Sequence, residues 1–451
     1  MRKFRFIYVL MAASFFVACA ESDDLYENET NPVAKNPYEI SIETAMQTLE
    51  TMFPEMMRTT RVSASEVKTL RRSDLGMTTR SEDEDPQAPV AYIIPLANNG
   101  CAIMGADTRK ERLYAALEST TLTPDDIARA VQQQQATRSE NTTDSEGADG
   151  EFEQIDDIKK FASGLIADAI TRNIQIPDTL PSIVFPGEIY DTILDTTITY
   201  LPILTTKWSQ RKPFNGHLGF NPEDSTENVV GCGPIAIAQI LHHSQKPNSL
   251  NNHTINWNSI NTLRYNISGY VEHISYHPEV ATFIKDLRDY MGLDDTDASI
   301  KTDTAAMTLK NLLYTNETRT AVFNILYETT IRSMLQRSYP IYMRGSRPNG
   351  VDKYGNPVYK GHAWVVDGLK QHKYIVTRYG IQINVIDKYY THCNFGWKGD
   401  CDGYYLIGNF DLTSSLSSDM VEEELGDKIS QREGVFYRYN LQMIACTESS
   451  Q

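Results

Sequence analysis

The stretch Val229-Val230-Gly231-Cys232-Gly233-Pro234-Ile235-Ala236-Ile237-Ala238-Gln239-Ile240-Leu241-His242-His243 constrains this chain more than any other. Pro234 stands where the first residue of a helix would be, and up to Gln239 nearly every face is apolar. A helix of that kind has to lie inside a core. With 451 residues the chain is long enough for two or three domains with cores of their own. Cys232 falls at the helix N-terminus, where backbone N–H groups favour negative charge. A thiol there loses its proton more readily, and the same N–H groups can bind a developing oxyanion. An inert buried cysteine beside a glycine turn fits these residues equally well.

A thiolate nucleophile needs an imidazole. Gly361-His362-Ala363-Trp364-Val365-Val366-Asp367-Gly368 reads as a short apolar strand that begins with His362 and ends in an Asp-Gly turn. At its head, after a glycine, His362 is expected on the rim of a cleft. Pro340-Ile341-Tyr342-Met343-Arg344 reads as a neighbouring strand. Asn394 supplies the third element, within His392-Cys393-Asn394-Phe395-Gly396-Trp397-Lys398-Gly399-Asp400-Cys401-Asp402-Gly403-Tyr404-Tyr405. An amide can orient an imidazole through its second ring nitrogen, and Trp397 can shield that bond from water. Singly these motifs are weak. Their order, with His about 130 residues after Cys and Asn about 30 further on, is much less common by chance.

Together these motifs resemble the streptopain family of papain-like cysteine peptidases. Gly231-Cys232, the Ala-x-Ala-Gln helix, Gly361-His362-Ala363 with Asp367-Gly368, and Asn394-Phe395-Gly396-Trp397 with Asp402-Gly403-Tyr404-Tyr405 carry the resemblance. Thr205-Thr206-Lys207-Trp208-Ser209-Gln210 with Pro213-Phe214-Asn215 resembles the segment before the nucleophile, and by that likeness Gln210 is the side-chain oxyanion donor. Tyr92 to Arg109 is similar to the family's inhibitory propeptide domain. Gly233-Pro234 departs from the pair often found after the nucleophile, but it leaves a backbone N–H in place. The resemblance implies an α+β fold: a papain-like domain with a helical half and an antiparallel sheet half, preceded by a small α+β propeptide domain. It also implies a preference for a hydrophobic residue two positions before the cut bond.

Arg2, Lys3 and Arg5 precede an apolar run from Phe6 to Val17, too short to span a membrane. The run ends Phe16-Val17-Ala18-Cys19, which resembles a bacterial lipobox with Cys19 as the lipidated residue. Cleavage of an ordinary signal peptide at Ala18-Cys19-Ala20 is the alternative. Either way the chain is expected outside the cytoplasm, as an outer-membrane or cell-surface lipoprotein if Cys19 is lipidated. Membrane contact is then expected only through that lipid. A net charge of −17 without a basic window argues against nucleic acid as a partner.

Ile42 to about Phe53 reads as an amphipathic helix stopped by Pro54. Val90–Leu96 and Cys101–Met104 flank Asn98-Asn99-Gly100 as a hairpin, and a helix is expected around 109–119. Another helix starts with Thr123 as N-cap and Pro124 after it. Gln132 to Glu153 has almost nothing to bury and reads as a linker; Ile158, Phe161, Leu165, Ile166 and Ala169 then fall at helical spacing. The expected layout is a signal peptide (1–18), a tether (19–37), an inhibitory propeptide domain (38–131), a linker and activation region (132–154) and a catalytic domain (155–451).

The expected function is a secreted, lipid-anchored zymogen of a cysteine endopeptidase acting on proteins or peptides, with its own propeptide as inhibitor. Cys232, His362 and Asn394 are the catalytic candidates, with the Cys232 N–H and Gln210 at the oxyanion. The alternatives are a catalytically silent surface lipoprotein that binds proteins, or a papain-like amidase or transglutaminase. No cofactor and no metal site are expected: His392, Cys393, Asp400, Cys401 and Asp402 fit no common zinc spacing. Cys393 and Cys401 are spaced so that a local disulfide stays open, Cys101 and Cys446 look structural, and His242-His243 suit the helix C-terminus.

Overall fold

A computed structural model describes residues 38–76, 85–108, 110–138, 149–151, 155–175, 190–195, 199–222, 225–265, 271–276, 279–313, 317–322, 328–351, 357–378, 381–406 and 439–447. The expected signal peptide, lipidation residue Cys19 and tether lie outside these residues.

The chain opens with α1 (Ile42–Met52), capped by the Ser41 side chain, and Pro54 starts the short α2 (Pro54–Met57). Four strands follow: β1 (Lys68–Arg71), β2 (Pro89–Pro95), β3 (Cys101–Gly105) and β4 (Leu113–Leu117). The expected hairpin is β2–β3, with Asn98 and Asn99 both at positive φ in the turn. Gly100 serves close approach instead, because a Cβ there would come within 2.4 Å of the Leu117 carbonyl.

The helix expected around 109–119 is a strand. All five residues of β4 are buried, and it is paired on both sides in the middle of a sheet. A segment buried on both faces reads as continuously apolar, which a helix also satisfies, and cross-strand packing decided the outcome. Helix α3 (Pro124–Arg138) begins as expected, with Thr123 and Asp126 exchanging side-chain-to-backbone hydrogen bonds of 2.9 and 3.2 Å. It runs on through the glutamines that read as the start of a linker.

After the short strand β5 (Asp149–Glu151) comes α4 (Ile155–Gln175), whose Ile158, Phe161, Leu165, Ile166 and Ala169 are all buried. The segments β6 (Tyr190–Asp195) and β7 (Thr199–Tyr200) lead to α5 (Cys232–Ser244). Then come the ribbon β8 (Ser249–Leu250) and β9 (His253–Thr254), helix α6 (Trp257–Ile260), and the ribbon β10 (Asn261–Tyr265) and β11 (Val271–Tyr276). Helices α7 (Glu279–Tyr290) and α8 (Thr302–Leu312) pack on α5. The rest is β12 (Glu317–Val322), α9 (Glu328–Gln336), β13 (Ile341–Val351), β14 (Pro357–Arg378), β15 (Ile381–Asn394), β16 (Gly403–Leu406) and β17 (Tyr439–Thr447).

One sheet runs β1-β2-β3-β4-β16-β15-β14-β13-β17-β12, antiparallel throughout this order, with β5, β6 and β7 pairing to β14. The N-terminal strands therefore continue the sheet that carries His362 and Asn394. One core lies between α5, α7, α8 and one face of that sheet. A second joins α3 and α4 to β14, β15 and β16, and a third packs α1 on β2, β3 and the ends of β15 and β16. The fold is α+β, a helical half against an antiparallel half, as expected.

Candidate active site

Helix α5 begins at Cys232 itself, two residues earlier than Pro234 suggested, with Gly231 as N-cap. Gly231 has a φ of 93°, and a Cβ there would meet the Ala298 carbonyl at 2.2 Å, so the turn into the nucleophile requires glycine. Every residue of α5 from Cys232 to Leu241 is buried. The buried guanidinium of Arg288 donates to the carbonyls of Val230, Asp294 and Asp297. It thereby staples the segment entering Cys232 to the loop that crowds Gly231. Sequence reasoning missed Arg288, because a lone arginine in an amphipathic helix carries no signal of burial.

His362 lies inside β14, opposite Gly345, and is 1% exposed. The rim position expected for it is not what the fold gives. Phe161 of α4 stands over the ring at 5.5 Å, Phe395 at 5.9 Å, and Trp364 stacks nearly parallel at 6.4 Å. The His362 Nε2–H donates to the Phe395 carbonyl at 3.0 Å. Burial pushes the imidazole down to about 3, partly offset by that carbonyl, so it is neutral. Cys232 Sγ accepts from the backbone N–H of Ala363, at 3.2 Å. The fold brings the thiol to the neighbour of His362, while the imidazole's Nε2 is engaged elsewhere.

Asn394 is held by Gln239. Gln239 Nε2 donates to Asn394 Oδ1 at 3.0 Å, Gly396 N–H donates to the same oxygen at 3.1 Å, and Asn394 Nδ2 donates to the Thr206 carbonyl at 2.9 Å. Gln239 Oε1 accepts in turn from the Thr206 hydroxyl at 2.8 Å. Gln239, the one polar residue in the apolar run of α5, is thus the positioning partner of Asn394. Its place in that run was the signal that could have revealed it.

Gln210 is fully buried, and neither atom of its amide finds a partner among the described residues. Its backbone carbonyl accepts from Val230 N–H at 2.9 Å, which ties it to the segment entering Cys232. Trp397 is buried and its backbone bridges Ser209, next to Gln210.

Beside Asn394 on β15, His392 donates through Nδ1 to Asp367 at 2.6 Å and through Nε2 to Glu118 at 3.2 Å. Lys207 Nζ donates to the other Glu118 oxygen at 3.1 Å. Burial opposes the charge on His392, but Asp367 and Glu118 outweigh it and hold the imidazole up to about 10. Burial likewise opposes the Glu118 carboxylate, yet His392 and Lys207 hold it well below the usual range. Asp402, which accepts from Phe395 N–H at 2.8 Å, is raised by burial to about 7. Asp367-Gly368 forms a bulge within β14 where a turn was expected, because Gly368 lies against the Cβ of His392.

Cys101, Cys393 and Cys401 are free, buried thiols. The side chain of Cys446 lies outside the described residues. His242 sits between Trp208 and Trp257 and is pushed down by burial to about 4, so it is a neutral core residue and no cationic cap.

Residues 208–405 match the model of the Peptidase C10 family. This part of the chain is similar to a C10 cysteine peptidase. The match spans Gln210, Cys232, His362, Asn394 and Trp397, the set drawn from the streptopain resemblance. No curated protein matches the chain. Among solved structures, a cysteine-to-alanine mutant fragment of Prevotella intermedia prointerpain A is matched over 82% of this chain and 98% of that chain, at 16% identity and a TM-score of 0.43. Active wild-type interpain A cysteine protease of Prevotella intermedia is matched over 56% of this chain and 96% of that chain, at 17% identity and a TM-score of 0.35.

Proposed function

We propose that this cysteine peptidase is made as a latent endopeptidase, and that the form described above is the latent one. The observation that carries this reading is the position of His362: neutral, covered by Phe161 and bonded to the Phe395 carbonyl, with Cys232 next to it.

On this reading the covering region is larger than residues 38–131. Phe161 belongs to α4, so a cut confined to 132–154 leaves the cover attached to the catalytic part. A further cut in 176–189 frees it. Once α4 leaves, His362 gains solvent, recovers its basicity and takes the proton of Cys232. The thiolate attacks the scissile carbonyl, breaking its π bond, and the oxyanion is met by the Cys232 N–H and the Gln210 amide. His362 gives its proton to the leaving amine, and water then hydrolyses the thioester. Gln239 holds Asn394 ready to orient the freed imidazole.

The proposal includes export and lipidation at Cys19, supported by the basic residues, the short apolar run and the Ala18-Cys19 pair. It also includes preference for a hydrophobic side chain two positions before the cut bond. The test is digestion of a denatured protein, with mapping of the cut sites, by wild type and by His362→Ala. Cuts made by wild type alone, after hydrophobic residues at that position, are expected. Equal cutting by both would contradict the assignment of His362.

A further inference from the structure

The junction between the N-terminal region and the C10 domain is a strand pairing that ends in a carboxylate. β4 runs antiparallel to β16, with Ala115 opposite Tyr405, Ala116 opposite Tyr404 and Leu117 opposite Gly403. Gly403 is what lets the two strands meet: it has a φ of 154°, and a Cβ there would lie 2.3 Å from the Ala116 carbonyl. Beyond the strand, Glu118 N–H donates to the Asp402 carbonyl at 2.9 Å, and the Glu118 carboxylate is gripped by His392 and Lys207.

Removing the N-terminal region changes this surface in two ways. β16 keeps β15 on one side and loses its partner on the other, leaving a row of unpaired N–H and C=O groups. Lys207 and His392 lose their carboxylate, with His392 only 4% exposed and Asp367 left as its partner. Glu118 is the carboxylate that both cations bond, so the vacated cradle, with Lys207 and His392 still in place, favours another carboxylate. An open edge favours another extended chain. Both demands are met by one kind of ligand, and β4 followed by Glu118 shows its pattern.

We propose that the β16 edge with its Lys207–His392 cradle is a strand-addition exosite of the processed peptidase, which captures an extended segment of a protein substrate ending in a carboxylate side chain. This rests on the reading that processing removes the N-terminal region. The location suits a substrate. His392 stands on the strand that carries Asn394, and Lys207 on the segment that carries Gln210. A chain held at this edge is therefore anchored to the two segments that build the catalytic site.

The test uses the full chain, cut by itself or, failing that, by added trypsin, with the catalytic species isolated by size. A fluorescein-labelled peptide of the sequence Arg112 to Thr120 is titrated and followed by anisotropy. Saturable binding is expected, at least tenfold weaker for the Glu118→Gln peptide and for Lys207→Met enzyme. At saturation the wild-type peptide should slow digestion of a denatured protein several-fold and leave hydrolysis of a small peptide amide unchanged. Equal affinity of the two peptides would overturn the exosite, as would inhibition of the small substrate or an N-terminal fragment that never leaves after cutting. Absence of any hydrolysis would count against the peptidase reading alone, because anisotropy reads the edge without turnover.

Discussion

Phe161 and His362 face each other with ring centroids 5.5 Å apart and planes at 61°, and the imidazole is thereby sealed from water. Cys232 accepts a hydrogen bond from the N–H of Ala363, the residue after His362, while the His362 Nε2–H donates to the Phe395 carbonyl. The relation between α4 and β14 decides whether the thiol has a base. Truncating the side chain that makes the seal should loosen it: Phe161→Ala removes a buried aromatic, a change of about 3–5 kcal/mol in well-packed cores. Self-cleavage of Phe161→Ala is expected to start at least tenfold sooner than in wild type on a timed gel. An unchanged lag would mean that Phe161 fills space without withholding His362.

Acid should open the latent form. The His362 imidazole is pushed down by burial to about 3, against an ordinary value near 6.5. Between those values the open form takes up a proton and the closed form does not, so closure weakens as pH falls through that window. From pH 6.5 to pH 5 the loss is about 2 kcal/mol, at roughly 1.4 kcal/mol per unit. Glu118 acts in the same direction, since a carboxyl held below its usual range contributes stability above that range and loses it as pH falls. His392 works at the other end: raised to about 10, it stabilises the closed form below its ordinary value and stops doing so as pH rises through 10. Hydrogen exchange across α4 in Cys232→Ala protein, which cannot process itself, should be faster at pH 5 than at pH 7.5. Equal rates, after correction for intrinsic exchange, would contradict the buried neutral His362.

Much of the site was legible because its residues sit at points where the backbone has few options. The glycine turn into an apolar helix announced α5 and Cys232, and Asn-Gly between β-prone runs announced the β2–β3 hairpin. What escaped depends on contacts between distant segments. Leu113–Leu117 looks as helical as it looks extended until β3 and β16 flank it. Phe161 reads as one more core residue of a helix, and nothing local says that it seals an imidazole. The rim position expected for His362 failed because its strand starts earlier, at Pro357, and runs on past Gly368, and because α4, which covers it, lies far away in sequence. Glu118 carries no motif, and its role exists only once β4 lies beside β16.

Oxyanion stabilisation should rest on Gln210, whose buried amide has no partner among the described residues. Gln210→Ala is expected to lower kcat of the processed enzyme by about 100- to 1,000-fold with little change in KM, the pattern of a lost transition-state donor. Gln239→Leu should act differently. It removes one of the two donors to Asn394 Oδ1 and leaves the buried Thr206 hydroxyl without its acceptor, which costs about 1–3 kcal/mol, and should shift the acid limb of the pH–rate profile through a misoriented His362. If Gln210→Ala changed KM alone, the amide would belong to substrate binding.

Attachment should follow Cys19. In cells, full-length protein is expected in the membrane fraction and Cys19→Ser protein in the soluble one, with the catalytic part soluble in both once α4 has been cut away. Membrane retention of Cys19→Ser would exclude a lipid at that residue.

The central claim is that Cys232 is the nucleophile of a peptidase held latent by its own N-terminal region, and self-processing tests it most directly. Purified full-length wild type and Cys232→Ala are incubated side by side and their fragments sized by mass spectrometry. The account predicts a stable wild-type product beginning within 176–190 and an intact Cys232→Ala chain that is cut at the same place when processed wild type is added. Identical fragments from both proteins incubated alone would contradict it.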